Sequence, residues 1–291
     1  MESKSSKATV YMTKNITPEG LTAVYNALER KCSGKTAVKL STGEPPASNY
    51  LRPALIKDLV QLVHGTVVEC NTAYEGERIR TEDHYRVAKE HGFTEIADFQ
   101  IQDEDGSMAL PVNCGIRLKE NYVGTHFPDY DSYLILSHFK GHVMAGFGGA
   151  IKNISIGLGS SKGKAWIHSG GTSFTDFWSG EQDAFLEAMA EAGKSVADYL
   201  GDRIVYVNVM NRLSVDCDCD GHPAEPDMKD IGVLASTDPL ALDQACIDLV
   251  YSAPDGKSLI ERIESKNGLH TLEHAAKIGL GSREYKLIML D

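Results

Sequence analysis

The chain reads as an α/β protein, with a mixed or mostly parallel sheet and helices on both faces. Three observations predict this. Short runs of Val, Ile and Leu alternate with helical patterns from residue 8 to the C-terminal end. Some of those runs, Ile231 to Ala235 above all, are apolar throughout, as a strand covered on both faces must be. Several helical patterns open on cap signals, among them Thr17-Pro18, Pro53 and Asp238-Pro239. Residues 1–291 read as a single domain, which can divide into two lobes around a cleft.

The elements follow in order. Ala8 to Tyr11 is a short strand. Leu21, Val24, Tyr25 and Leu28 recur at helical spacing through Arg30. Thr36 to Leu40 is a strand running into the turn S-T-G-E-P-P. Leu55, Ile56, Leu59, Val60 and Val63 form the face of the next helix, and Gly65 to Cys70 is a strand. Thr81 caps a helix through His91, closed by Gly92. A short strand lies within Phe93 to Gln102. Val112 to Val123 fits either a hairpin or an irregular insertion. Tyr133 to Leu136 is a strand. His138 to Gly149 is too rich in glycine for a helix interior. Ala150 to Ile156 starts a helix or makes one turn, and Gly157 to Gly163 and Trp166 to Gly180 read as loops. Glu181 to Leu200 is the clearest helix, with Phe185, Leu186, Met189, Val196 and Leu200 on its apolar face. The strand Ile204 to Val209 precedes an acidic cysteine loop. After the strand at Ile231 come a helix from Pro239, helical segments at Ser258 to Glu264 and Leu272 to Ile278, and a last strand, Tyr285 to Leu290.

Composition limits the function. The net charge is -12 and no block of five basic residues occurs, which disfavours a nucleic-acid partner. No run of 18 apolar residues suggests a membrane span. The start, M-E-S-K-S-S-K-A-T, lacks the apolar core of a secretory signal and reads as a frayed tail. A cytoplasmic location is expected. Of six cysteines, four are scattered singly, as small buried hydrophobes usually are.

Two stretches carry candidate chemistry. The first is Ser137 to Gly159, S-H-F-K-G-H-V-M-A-G-F-G-G-A-I-K-N-I-S-I-G-L-G. A glycine-rich turn after a strand can offer backbone N–H groups to an anion, so Gly146, Gly148, Gly149 and Asn153 are candidate cofactor-binding residues. His138 and His142 can move protons or ligate metal, and Lys152 adds a point charge, making these three the catalytic candidates. Neither G-x-x-x-x-G-K-[ST] nor G-x-G-x-x-G is present. The plain alternative is that the glycines serve packing and the histidines are ordinary core or surface groups.

The second stretch is D-C-D-C-D-G-H, Asp216 to His222. Thiolates suit zinc or iron and carboxylates suit harder ions, so Cys217, Cys219, Asp216 and Asp218 are candidate metal ligands. Cys114 or a distant histidine could complete such a site. On an extended segment the two cysteines share one face and the aspartates the other. The run also resembles a calcium loop, but Pro223 and Pro226 interrupt it and a strand rather than a helix precedes it. An acidic solvated turn with two incidental cysteines is the alternative. Weaker candidates are Glu69, Tyr74, Arg78 and His84 near a strand end, and His168, Asp176 and Trp178. His270 and His274 read as a solvated helix face, and H-E-x-x-H does not occur.

The runs V-N-V-M-N-R-L-S-V-D-C-D-C-D (207–220) and D-I-G-V-L-A-S-T-D-P-L-A-L-D-Q-A (230–245) resemble the DUF362 family. Val38-Lys39-Leu40 with Gly43-Glu44, the stretch Gly148 to Asn153, and Gly279 to Tyr285 agree with it. Many members of that family are labelled iron-sulfur proteins. The resemblance therefore implies an iron-sulfur cluster or a transition metal, held by Cys217 and Cys219 together with non-cysteine or partner-chain ligands. This chain departs from the pattern in lacking a C-x-x-C-x-x-C module. The layout of His138, His142, Gly148, Gly149 and Lys152 is similar to the core of the lactate racemase (nickel-pincer) family. That family's distinctive histidine cluster is not evident here. The expected function is a metal- or iron-sulfur-associated protein, a candidate redox enzyme with a redox partner. The alternatives are a nickel-cofactor or metal-independent enzyme acting on a small anionic metabolite, and a non-catalytic ligand-binding protein. A homo-oligomer is compatible with each.

Overall fold

A computed structural model describes residues 7–113 and 115–291. Most of the expected N-terminal tail, and the candidate ligand Cys114, lie outside the described residues. The elements are β1 (Ala8–Thr13), α1 (Pro18–Ala27), β2 (Thr36–Lys39), α2 (Pro53–Leu62), β3 (Gly65–Glu69), α3 (Thr81–Glu90), β4 (Phe99–Ile101), β5 (Ser107–Pro111), β6 (Glu120–Gly124), β7 (Ser132–His138), β8 (Lys140–His142) and β9 (Gly146–Gly148). They continue with α4 (Ala150–Lys152), a π-helical turn (Asn153–Gly157), α5 (Ser161–His168), α6 (Gln182–Leu200), β10 (Ile204–Met210), β11 (Gly232–Ser236), α7 (Pro239–Ser252), α8 (Lys257–Ser265), α9 (His270–Lys277) and β12 (Tyr285–Met289).

Eight strands form the main sheet in the order β12-β1-β11-β10-β7-β2-β3-β4. The strands from β4 to β10 pair in parallel, β11 pairs antiparallel with β10 and β1, and β12 is parallel to β1. The sheet is therefore mixed and mostly parallel, in an α/β fold. Its strands separate two cores by simple alternation. In β7, Tyr133 and Ile135 enter one core while Leu134 and Leu136 enter the other. In β10, Tyr206 and Met210 take the first side and Val205, Val207 and Val209 the second. This double burial makes both strands mostly apolar in sequence, with polar residues at the ends of β7 and at Asn208 in β10.

Chain order reverses at β2. The chain leaves β2 for β3 on one side, then returns to place β7 on the other. Strand ends diverge at such a switch point and leave a crevice. Asn153 spans it: Nδ2 donates to Lys39 O (3.2 Å) and Ser137 Oγ (3.0 Å), on β2 and β7.

Where local signals were strong, the expected elements stand. The Thr17 side chain accepts from Gly20 N, and Asp238 accepts from Leu240 N and Ala241 N. Helix α1 stops at Ala27 rather than Arg30, because Leu28 turns extended and Lys31 reaches back to the carbonyls of Asn26 and Leu28. The ambiguous segment near Val112 is the link within a β5–β6 hairpin. His138 to Gly149 contains a second, smaller hairpin, β8–β9. The expected loops at Gly157 to Gly163 and Trp166 to Gly180 give way in part to α5. Its N-cap is Ser160, which accepts from Gly163 N. Gly163 is glycine because a Cβ there would stand 1.9 Å from Tyr122 O.

The turn into α4 is held from α7. The buried Asp243 carboxylate accepts from Ala150 N (2.7 Å), Ile151 N (2.9 Å) and Asn208 Nδ2 (2.7 Å). A Cβ on Gly149 would lie 2.3 Å from the same carboxylate, so glycine is required for this approach. Burial pushes Asp243 up to about 6, against the pull of its three donors. A raised folded value means that this group's contribution is fully present below 3.8, the ordinary value, and is lost as pH rises through about 6. Asp243→Ala leaves three buried donors without an acceptor. Chemical denaturation at pH 5 should show it less stable by roughly 2–4 kcal/mol, with a weaker dependence on pH between 4 and 6.5 than the wild type.

Candidate functional site

A cavity of about 630 Å³ opens at the ends of β2, β3 and β7, where Lys39, Glu69 and His138 are the last strand residues. This is the crevice that the strand order predicts. Two buried carboxylates organise its walls.

Glu69 is the first. It accepts from Lys39 Nζ (2.7 Å) and Thr42 N (2.9 Å), and lies 3.5 Å from Arg78 Nη1. Arg78 also donates through Nε to Glu44 (2.9 Å) and through Nη2 to the Tyr74 hydroxyl (2.9 Å). Burial alone would raise Glu69, but Lys39, His84 and Arg78 outweigh it and hold the carboxyl at about 2. The weaker sequence candidates Glu69, Tyr74, Arg78 and His84 thus form one network, with Thr42 Oγ1 3.2 Å from His84 Nε2.

Asp218 is the second. Oδ1 lies 2.8 Å from His138 Nδ1, and Oδ2 accepts from Lys140 Nζ at 2.8 Å. Burial opposes its charge, yet His138 and Lys140 hold it well below the ordinary carboxyl range. His138 Nε2 faces Asn211 O at 2.7 Å. Both ring nitrogens therefore meet acceptors, and the imidazole is committed to this contact rather than free for proton transfer.

Other groups keep an open position. His142 is buried, and its Nδ1 accepts from Met144 N (3.1 Å) and Ala145 N (2.9 Å). The ring proton of the neutral form consequently sits on Nε2, 3.9 Å from Cys219 Sγ. Burial, with Lys152 and other cations nearby, drives His142 well below the ordinary histidine value and keeps it neutral. His168 is sandwiched between Phe177 and Phe185, at ring separations of 3.8 and 4.8 Å. Its Nδ1 donates to Lys164 O (2.7 Å), which leaves Nε2 as an acceptor, and burial lowers it to about 3. Lys164 donates to Gly159 O (2.6 Å). Lys152 is half-buried in the cavity wall and has no hydrogen-bond or ion-pair partner among the described residues. Burial, and then the charge of Lys140, lower it to about 7.

Cys217 and Cys219 are bonded to each other, with Cα atoms 5.2 Å apart. They share a face, as the sequence suggested. Asp218 points the other way, into its pair with His138 and Lys140. Asp216 leaves the cavity and pairs with Arg262 Nη1 at 3.0 Å, so neither aspartate joins the sulfurs. The group around the sulfurs is His142, Cys217 and Cys219, whose ligand atoms lie within 4.8 Å of one another and form a candidate metal site. As seen here its donors do not fit a metal. The sulfurs are spent on each other, and Nε2 of His142 carries a proton because Nδ1 takes two N–H groups. An iron-sulfur cluster needs about four thiolates, and the described residues bring two.

The two candidate stretches thus meet. His138, His142, Gly148, Gly149, Lys152 and Asn153 line the same cavity as Cys217, Asp218 and Cys219. Gly146 does not; with φ +79 it packs against Ile263 and Gly268. Sequence alone did not mark Lys39, Lys140 or Lys164 as site residues, although Lys39 lies in a run that carries the family resemblance. Lys140 lies two residues after His138, the strand spacing that shares a face. Lys164 precedes His168 by four, a helix-face signal hidden because the stretches on either side of Lys164 read as loops.

The family model "Domain of unknown function (DUF362)" matches residues 36–248, and the chain belongs to the DUF362 family. Among curated proteins, none matches the chain. The lactate racemase apoprotein from Thermoanaerobacterium thermosaccharolyticum is similar at 12% identity and a TM-score of 0.44, over 72% of this chain and 52% of that one. A structural-genomics protein from Thermotoga maritima is similar at 11% identity and a TM-score of 0.43, over 89% of this chain and 58% of that one. The chain thus spans just over half the length of each. No described helix is long and apolar enough to cross a membrane.

Removing Asp218 leaves His138 and Lys140 buried and unpaired. Asp218→Ala is expected to lower stability by roughly 3–5 kcal/mol in urea denaturation. A lowered folded value means that the wild-type contribution is present above 3.8 and is lost as pH falls below it. The gap between the two proteins should therefore narrow from pH 5 to pH 3.

Proposed function

We propose that the cavity binds a small anionic metabolite, a carboxylate or phosphate, and that Lys152 carries out acid–base chemistry on it. One observation carries the reading. Lys39, Arg78, Lys140 and Lys164 each have partners, whereas Lys152 has none among the described residues. A half-buried ammonium without a counter-ion is costly, and an anionic ligand reduces that cost. With its value near 7, Lys152 divides between ammonium and amine at neutral pH. The ammonium pairs with the ligand's charge and the amine can accept a proton, the balance that general acid–base catalysis favours. His168 offers Nε2 as a hydrogen-bond acceptor to the ligand, and Phe177 and Trp178 line the same cavity. A protein that binds the same anion without turnover would use the same contacts.

The test is calorimetric titration with a panel of small carboxylates and phosphates. Affinity should fall as pH rises through about 7, by about tenfold for each further unit once Lys152 is neutral. Lys152→Met should weaken binding by about 10- to 100-fold and abolish that pH dependence. Without ligand the sign reverses. The charged amine costs stability below pH 7, and the cost fades as pH rises towards 10.5, so the variant should melt several degrees higher at pH 6. A panel without a single binder, or equal binding by the variant, would sink the proposal.

A second reading keeps the metal- or iron-sulfur-associated redox role. It is supported by the closeness of His142, Cys217 and Cys219 and by the family's label. It requires reduction of the disulfide and transfer of the His142 proton to Nδ1. Elemental analysis after anaerobic, reducing purification decides it: a transition metal lost in a Cys217→Ser, Cys219→Ser double variant supports it, and metal-free protein removes it.

A further inference from the structure

We infer that Cys217 and Cys219 are a dithiol–disulfide couple that exchanges with small anionic thiols and disulfides entering the cavity. The bond spans a single intervening residue. Cross-linking so short a loop restricts the unfolded chain little, and a role in stability is correspondingly small. Both cysteines instead line the cavity, in a wall that also carries His142 and Lys152.

The two sulfurs are not equivalent. Cys217 is 5% exposed, whereas Cys219 is half-buried and faces the cavity. The Cys219 N–H donates to Cys217 Sγ at 3.1 Å, and His142 Nε2 stands 3.9 Å from Cys219 Sγ. This asymmetry fixes the order of events. An incoming thiolate attacks Cys219 Sγ, the accessible sulfur. The Cys217–Cys219 bond breaks, and its electron pair leaves on Cys217, where the Cys219 N–H stabilises the thiolate. The mixed disulfide on Cys219 is then resolved by a second thiolate of the same kind. That releases the small disulfide and leaves Cys219 as a thiolate beside the His142 N–H. Two thiols become one disulfide while the protein disulfide becomes a dithiol, and in reverse the dithiol reduces a bound disulfide.

The substrate class follows from charge. Lys152, in the cavity wall, has no counter-ion among the described residues, so a thiol carrying carboxylates is favoured over a cationic one. The exchange does not depend on the anion-binding reading; the charge preference does.

Glutathione serves as the acidic probe and cysteamine as the cationic one. Incubated with oxidised glutathione, Cys217→Ser should accumulate one glutathione on Cys219 by mass spectrometry, and Cys219→Ser should accumulate none at Cys217. Fully oxidised wild type should be reduced several-fold faster by glutathione than by cysteamine at equal thiolate concentration. Salt and Lys152→Met should shrink that difference. If either cysteine variant fails to fold, alkylation of the reduced wild type gives the same answer, with Cys219 modified before Cys217 in peptide maps. Equal trapping in the two variants, simultaneous alkylation, or a pair that stays reduced under oxidised glutathione would overturn the couple. Equal rates with the two thiols would overturn the anionic substrate class.

Discussion

One buried carboxylate sets the geometry on which the cavity depends. Asp218 ties His138, the last residue of β7, to Lys140, the first of β8. Its own backbone carbonyl accepts from Glu44 N at 2.7 Å, across the cavity from the β2 side. Three ionisable side chains can be buried there because each meets an opposite charge or an acceptor. The same contacts pin the loop after β10 against the sheet end. That loop is what carries Cys217 and Cys219 to His142.

The wall beyond it follows the same electrostatic logic. Glu69 repeats the role of Asp218 on the other side of the switch point, gathering Lys39 and Arg78. Asn153 closes the gap between the two halves by donating to both strand ends. Five cations face one cavity, and paired carboxylates and backbone carbonyls consume four of them. Lys152 remains. The apolar faces of α6 and α7 beneath, with Asp243 capping the short α4, hold the turn on which it stands. The chemistry of the site thus rests on which charges are already answered within the fold.

Several histidines show why residue type alone is a weak guide to role. His138 stood out for its place after a strand, but the fold gives both of its nitrogens acceptors. His142 keeps an N–H directed at a sulfur. His168, in a stretch that read as loop, lies on α5 between two phenylalanine rings with one nitrogen open. His274 looked like a solvated helix residue and is buried against Glu191 at 3.0 Å. In each case the difference lies in partners contributed from distant parts of the chain.

The sequence by itself determined the α/β class, the helix starts at Pro18, Pro53 and Pro239, and the apolar central strands. These depend on local capping and on side-chain periodicity, which neighbouring residues fully specify. It also marked both stretches that line the cavity. What only the tertiary structure decided is how those stretches meet. Asp216 and Asp218 are neighbours of the same cysteines, yet one pairs with Arg262 and the other with His138 and Lys140. Lys39, Lys140, Lys152 and Lys164 are alike in sequence, yet only the contacts of the fold leave Lys152 without a partner among the described residues. Charge pairing depends on distance in space across more than a hundred residues of chain, and no local pattern encodes it.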